Sequence, residues 1–195
     1  MVLKRVGLFF GSFNPVHQGH MMIANYLRQL ASLDEVWFMV SPQNPLKNKG
    51  SLLDEYERLH LVHLAIDENP HLRASDFEFY LPRPSYTIDT LTHLKEKYPE
   101  TSFCLIMGED NLRTLHLWKN YKEILNNYSI LVYARHGSEQ GVEDVIKHPS
   151  VQYFDLPLLP VSSTFIRENI KKGFSMQYFL PEKVFHYIEE MRLYK

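Results

Sequence analysis

The chain has 195 residues, 45% of them hydrophobic and 23% charged, ordinary values for a soluble globular protein long enough to bury a sizeable core. A formal net charge of −2 argues against broad electrostatic capture of nucleic acid, and no apolar run approaches the ~18 residues of a membrane span. The single cysteine, Cys104, sits in an apolar run, which suits a reducing compartment, and residues 1–5 leave no room for a signal peptide before the first strand pattern. These features predict a cytoplasmic protein with no nucleic-acid or membrane partner, and they leave a homo-oligomer open.

In chain order, an apolar run predicts a strand at 6–10, followed by a helix at 20–33 in which Ile23, Tyr26, Leu27 and Leu30 recur at helical spacing. A strand at 35–40 and a helix at 53–67 follow, then a strand candidate at 71–77 and a helix at 87–98. Next come a strand at 102–107, a helix at 111–125, and strands at 129–134 and 151–156. Two helices form a closing part within 161–195. One starts near Ser163; in the other Pro181 sits early and Val184, Tyr187, Ile188 and Met191 make a stripe. No repeat or low-complexity linker interrupts this alternation. The expectation is one α/β domain over 1–195, doubly wound, with a mainly parallel sheet and ligands at the carboxyl ends of its strands.

Four segments carry chemistry. Gly11-Ser12-Phe13-Asn14-Pro15-Val16-His17-Gln18-Gly19-His20 joins the first strand to the first helix. A turn of that kind converges backbone N–H groups and a positive helix end on one point, a cradle for an anion. His17 and His20, three residues apart, then suit two imidazoles donating to phosphate oxygens, in a turn where burial is not expected. A His-x-x-His metal site lacks a third ligand nearby, and a helix cap plus a surface histidine is the plainer alternative. Val161-Ser162-Ser163-Thr164-Phe165-Ile166-Arg167 offers hydroxyls at a helix start and, one turn in, a guanidinium for the same anion; an ordinary N-cap with a solvent arginine is its rival. Ile106-Met107-Gly108-Glu109-Asp110 ends a strand at a glycine and places Asp110 as an acceptor for a ribose or adenine-linked group, or as an N-cap. Trp118, further along, suits stacking on a ring or a place in the core. Ser85-Tyr86-Thr87, in the stretch 84–91, is a hydroxyl-rich helix start suited to a small carboxylate or phosphate, and Lys47 is a cation for the tail of a polyphosphate.

Together these segments resemble the His-x-Gly-His nucleotidylyltransferase superfamily, and within it the branch that adenylylates nicotinate mononucleotide. The resemblance rests on 11–20, 84–91, 108–110 with Trp118, and 161–167, and extends to the closing Leu180-Pro181, Val184, Tyr187-Ile188 and Leu193-Tyr194. It implies a Rossmann-like fold, ATP with Mg²⁺, and transfer of AMP to nicotinate mononucleotide with release of pyrophosphate. Carried over by position, His17, His20 and Arg167 would handle the ATP phosphates. Gly11, Ser12, Phe13, Gly108, Asp110, Ser163 and Thr164 would line the ATP pocket. The acceptor site would draw on Lys47, Ser85, Tyr86, Thr87, Trp118 and Lys119, with Thr87, Trp118 and the backbone around Lys119 holding the nicotinate ring and carboxylate. Three positions depart from the pattern: Asn14 where Asp is common, Leu46 where relatives often carry His, and His136 beside Arg135 where Pro is usual.

The chemistry fits these residue types. The attacking phosphate monoester, with a second pKa of about 6, is already mostly a dianion at neutral pH, so no general base is called for. What the reaction needs is positioning and relief of repulsion between anions. His20 suits the α-phosphate, His17 an adjacent oxygen, and Arg167 the leaving pyrophosphate. The rival readings are a sister enzyme such as a phosphopantetheine adenylyltransferase, a dinucleotide-dependent oxidoreductase, and a catalytically silent nucleotide binder. The oxidoreductase lacks its Gly-x-Gly-x-x-Gly after the first strand.

Overall fold

Along the central strands, apolar side chains face both ways. Val6, Leu8, Trp37, Met39, Leu105 and Val132 lie in one buried cluster, while their strand neighbours Phe9, Phe38, Val40, Ile106 and Leu131 lie in another. Such strands bury themselves only beneath helices on both faces, which is why their sequence reads as unbroken apolar runs rather than alternation. The computed structural model describes residues 3–42, 52–134, 143–157 and 159–195. Its strands are β1 (Lys4–Gly11), β2 (Glu35–Val40), β3 (Leu72–Ser75), β4 (Thr101–Gly108), β5 (Ser129–Ala134) and β6 (Val151–Asp155), all paired in parallel in the order β3-β2-β1-β4-β5-β6. The order reverses between β1 and β4, the place where a doubly wound sheet opens a crevice for ligand. The expected α/β, Rossmann-like architecture is the one observed.

Four helices, α1 (Gln18–Leu30), α2 (Glu55–Ile66), α7 (Ser163–Lys171) and α8 (Glu182–Glu190), pack Leu27, Leu61, Ile166 and Val184 onto one face. The others, α3 (Thr87–Lys97), α4 (Glu109–Thr114), α5 (Tyr121–Asn127) and α6 (Glu143–Ile146), pack Leu91, Leu112, Ile124 and Val145 onto the other. Three helices stop in the same way. The residue past the cap of α1, α7 and α8 (Ser32, Gly173 and Arg192) takes positive φ, and the next N–H reaches back to the carbonyl of Arg28, Asn169 and Ile188 respectively.

Several expectations are corrected. The first helix begins at Gln18, not His20, because extended His17 is its N-cap. Within it Leu27 is buried, but Tyr26 and Leu30 are 44% and 45% exposed, so the helix rests on Ala24 and Leu27 rather than on the whole predicted stripe. Met191 is 51% exposed, just past the end of α8, and drops out of the closing stripe in the same way. The strand candidate at 71–77 is a strand only to Ser75, then a 3-10 turn, Phe77–Tyr80. The helix expected at 111–125 is three pieces: α4, a 3-10 turn at Leu115–Leu117, and α5. Trp118 is extended and Asn120 left-handed at φ 50°, yet Leu112, Leu115, Ile124 and Leu125 all stay buried in one cluster.

A non-glycine residue at positive φ costs roughly 1–2 kcal/mol unless its side chain is short and polar. Asn120→Val is therefore expected to lower unfolding free energy by about that amount and Asn120→Gly to leave it within about 0.5 kcal/mol, as read by urea denaturation.

Candidate active site

β1 and β4 both end at a glycine on the carboxyl edge of the sheet, and the loops leaving them build the site. A Cβ at Gly11 would come within 2.9 Å of the Phe13 ring, and one at Gly108 within 2.5 Å of Asp110 Oδ1 and 3.2 Å of the Tyr133 ring. A side chain at either position would force its neighbour to shift. Phe13 turns the chain at φ 45° and is 2% exposed. Its ring meets His20 edge-on, with centroids 5.1 Å apart, and Phe9 bridges from His20 at 5.9 Å to Tyr133 at 6.0 Å. Gly108 is the N-cap of α4, leaving Asp110 in its first turn rather than at the cap, with its charge felt at the Tyr133 hydroxyl.

His17 and His20 stack at 3.6 Å. The His17 backbone N–H donates to His20 Nδ1 at 3.2 Å, which assigns the proton of a neutral His20 to Nε2 and makes that atom a donor. His17 is 5% exposed, contrary to the expectation that burial has no place in this turn. Desolvation lowers its pKa from 6.5 to about 4, and its buried Nδ1 has no hydrogen-bond partner among the described residues. Glycine 19 lets the ring lie in: a Cβ there would be 3.1 Å from His17 Nδ1 and 3.1 Å from Val161 Cγ1.

The second basic segment closes on this turn. Ser162 caps α7 by accepting from the Phe165 N–H at 3.2 Å, which frees the Ser163 hydroxyl to donate to Pro15 O at 2.9 Å. Arg167 donates to Asn14 O at 2.8 Å and to Thr164 Oγ1 at 3.4 Å. Neither α1 nor α7 carries an acidic residue in its first turn, so both positive helix ends remain for an outside anion.

The residues expected to serve the acceptor lie at the start of α3 and before α5. Tyr86 is the N-cap of α3 and Thr87 its first residue. Lys119 donates to both Asp89 oxygens, at 3.0 and 2.8 Å, with its ammonium 4.8 Å from the Tyr86 ring centroid. Trp118 packs half-buried against the core cluster beneath it. Lys47 and the 135–136 pair lie outside the described residues.

Two buried charges that the sequence reading passed over join these halves. Arg58, fully buried, donates from Nε to Leu53 O and from its terminal nitrogens to Ser12 O, Ser41 O and Pro42 O, at 2.7–2.9 Å. Glu78, 3% exposed, accepts from Thr90 Oγ1 at 2.8 Å and from the Ser41 and Ser85 hydroxyls, and burial raises its pKa. The signal was available for Arg58, which occupies the apolar stripe of its helix, three and four residues before Leu61 and Val62.

A parallel sheet whose first crossover carries paired histidines at a helix start, tied to a second basic segment, has the arrangement expected of a nucleotidylyltransferase. A family model described as cytidylyltransferase-like matches residues 8–169, and the chain belongs to that family. A relative in Flavobacterium johnsoniae, named as a probable nicotinate-nucleotide adenylyltransferase, is 50% identical over 191 residues, covering 98% of this chain and 99% of its own. One in Bacteroides fragilis, with the same name, is 48% identical over 185 residues, covering 95% and 91%. The Plasmodium falciparum nicotinic acid mononucleotide adenylyltransferase complexed with NaAD shares the fold, with a TM-score of 0.77 at 20% identity over 98% of this chain and 97% of that one.

The buried imidazole has a pH signature. Because His17 titrates at about 4 when folded and 6.5 when solvated, the unfolded chain takes up the proton first as pH falls. Its contribution is intact above pH 6.5 and is lost progressively down to about pH 4, at up to about 1.4 kcal/mol per pH unit. Denaturation at several pH values is expected to show a shallower loss in His17→Gln, and a His17 NMR midpoint near 6.5 would contradict the burial.

Proposed function

We propose that this chain transfers the adenylyl group of ATP to nicotinate mononucleotide, giving nicotinate adenine dinucleotide and pyrophosphate in NAD biosynthesis. The observation that carries the reading is the union of the His17–His20 turn with the start of α7, through Ser163 on Pro15 and Arg167 on Asn14. A phosphate oxygen of the acceptor attacks the α-phosphorus, the new O–P bond forms as the bond to the β-phosphate oxygen breaks, and pyrophosphate departs. With the nucleophile already anionic, the protein's part is electrostatic. His20 Nε2–H donates to an α-phosphoryl oxygen, His17 lines the adjacent position as a neutral ring, and Arg167 receives the departing pyrophosphate. Gly11, Ser12, Phe13, Gly108, Asp110, Ser163 and Thr164 line the nucleotide, and Ser85, Tyr86, Thr87, Trp118 and Lys119, with Lys47, serve the acceptor.

Magnesium enters as the complex of ATP. Among the described residues no group of three or more His, Cys, Asp or Glu could hold a metal ion, and the charge of Mg²⁺ would offset that of the polyphosphate. No helix among the described residues is long and apolar enough to cross a membrane. The buried free thiol of Cys104 supports a cytoplasmic setting.

Pyrophosphate release from ATP with a panel of acceptors tests the reading. Nicotinate mononucleotide is expected to give the highest kcat/KM, above its amide counterpart and above 4′-phosphopantetheine. Equal values for acid and amide would overturn the acceptor, and no turnover with any acceptor would overturn the reaction. In the same assay His20→Ala is expected to lower kcat by about 10²–10³-fold with little change in KM for ATP, since its hydrogen bond strengthens in the transition state. A change in KM alone would remove His20 from that role.

A further inference from the structure

The segment after α8, which the reading above leaves without a task, reaches back to the turn after β1. The α8 cap, closed by Arg192 N–H on Glu189 O and Leu193 N–H on Ile188 O, reverses the chain. Arg192 at φ 52° and Tyr194 at φ 64° both sit in the left-handed region, which non-glycine residues hold only where their surroundings over-determine them. At Tyr194 those surroundings are the phosphate turn. Its hydroxyl donates to Asn14 Oδ1 at 2.9 Å, and the same oxygen accepts the Leu53 N–H at 3.3 Å. The Asn14 carbonyl is the acceptor for Arg167, at 2.8 Å. Asn14 is 3% exposed, so these bonds are shielded from competing water. Arg58 and Arg167 both act on the phenol, but burial outweighs them and keeps its proton in place, so the hydroxyl remains a donor.

We propose that Tyr194 is a positioning residue for the triphosphate subsite: by holding the Asn14 side chain it fixes the peptide on which Arg167 rests, and so aims that guanidinium at the pyrophosphate. The proposal rests on the adenylyl-transfer reading for the identity of the anion. Its physical content is that Arg167 has several rotatable bonds and one internal tether among the contacts described above that is not on its own helix. A small shift of that tether misplaces the charge where the transition state needs it.

Tyr194→Phe keeps the ring and removes only the donor. In the pyrophosphate assay it is expected to lower kcat/KM for ATP by about 2- to 10-fold, the worth of one shielded hydrogen bond, with KM for nicotinate mononucleotide unchanged. In the reverse reaction KM for pyrophosphate is expected to rise. Asn14→Ala should act in the same direction, and the double variant should be no worse than Asn14→Ala, because both act through one contact. Kinetics within about 1.5-fold of wild type, or KM values for ATP and acceptor rising together with a lowered Tm, would make Tyr194 a staple for the tail and overturn the proposal. Calorimetric titration with ATP alone separates the two readings. Weaker ATP binding in Tyr194→Phe supports the proposal even if wild-type protein fails with this acceptor, whereas unchanged binding beside an active wild type overturns the proposal and leaves the function standing.

Discussion

A guanidinium without access to water shapes the carboxyl edge of this sheet. Arg58 gives its donors to carbonyls at Ser12, Ser41, Pro42 and Leu53, which belong to the chain leaving β1, the chain leaving β2, and the approach to α2. A loop carbonyl turned inward would otherwise be buried unpaired, so the chain can take these sharp exits only because a fork-shaped cation satisfies them together. The turn after β1 inherits its shape from that arrangement. Asn14, Phe13 and the start of α1 follow directly from where the Ser12 carbonyl is held.

The electrostatics are layered outward from there. Arg58 is deep and fixed, Arg167 is half-buried and tied to Asn14, and the first turns of α1 and α7 carry no acid to cancel their helix ends. His17 adds no charge at neutral pH, since burial keeps it unprotonated. A positive region made of fixed N–H groups, one tethered guanidinium and the neutral His17 ring suits a polyanion whose charge moves during reaction, because little has to reorganise as it does. The chain as a whole nevertheless carries a formal charge of −2, so this field is local.

How much of this was legible in the sequence depended on the kind of signal. The strands 35–40 and 129–134 were readable to the residue because they are buried on both faces and bounded by polar residues. The break at 118–120 was missed because Leu112 and Leu115 before it, and Ile124 and Leu125 after it, each read as a helix face, although Leu115 and Ile124 would fall on opposite sides of one continuous helix. Site segments with unusual strings, 11–20 and 161–167, announced themselves, and the structure joins them. The residues that support them did not. Tyr133 and Phe9 read as ordinary strand residues, and Glu78 as one acid among 23 Asp and Glu. Their partners are remote in sequence, so no local pattern marks them. The burial of His17 was missed for a related reason: the space beside Gly19 is shared by the His17 ring and Val161, more than a hundred positions away.

Glu78 has a mechanical consequence. Hydroxyls from Ser41, Ser85 and Thr90 converge on a single carboxyl group, so the exit of β2, the approach to α3 and the body of α3 share one anchor. None of the three can swing outward without stripping that acid of a donor in a place water does not reach. The wall beside Tyr86 and Thr87 is thereby tied to the exit of β2, so a displacement of either is felt by the other.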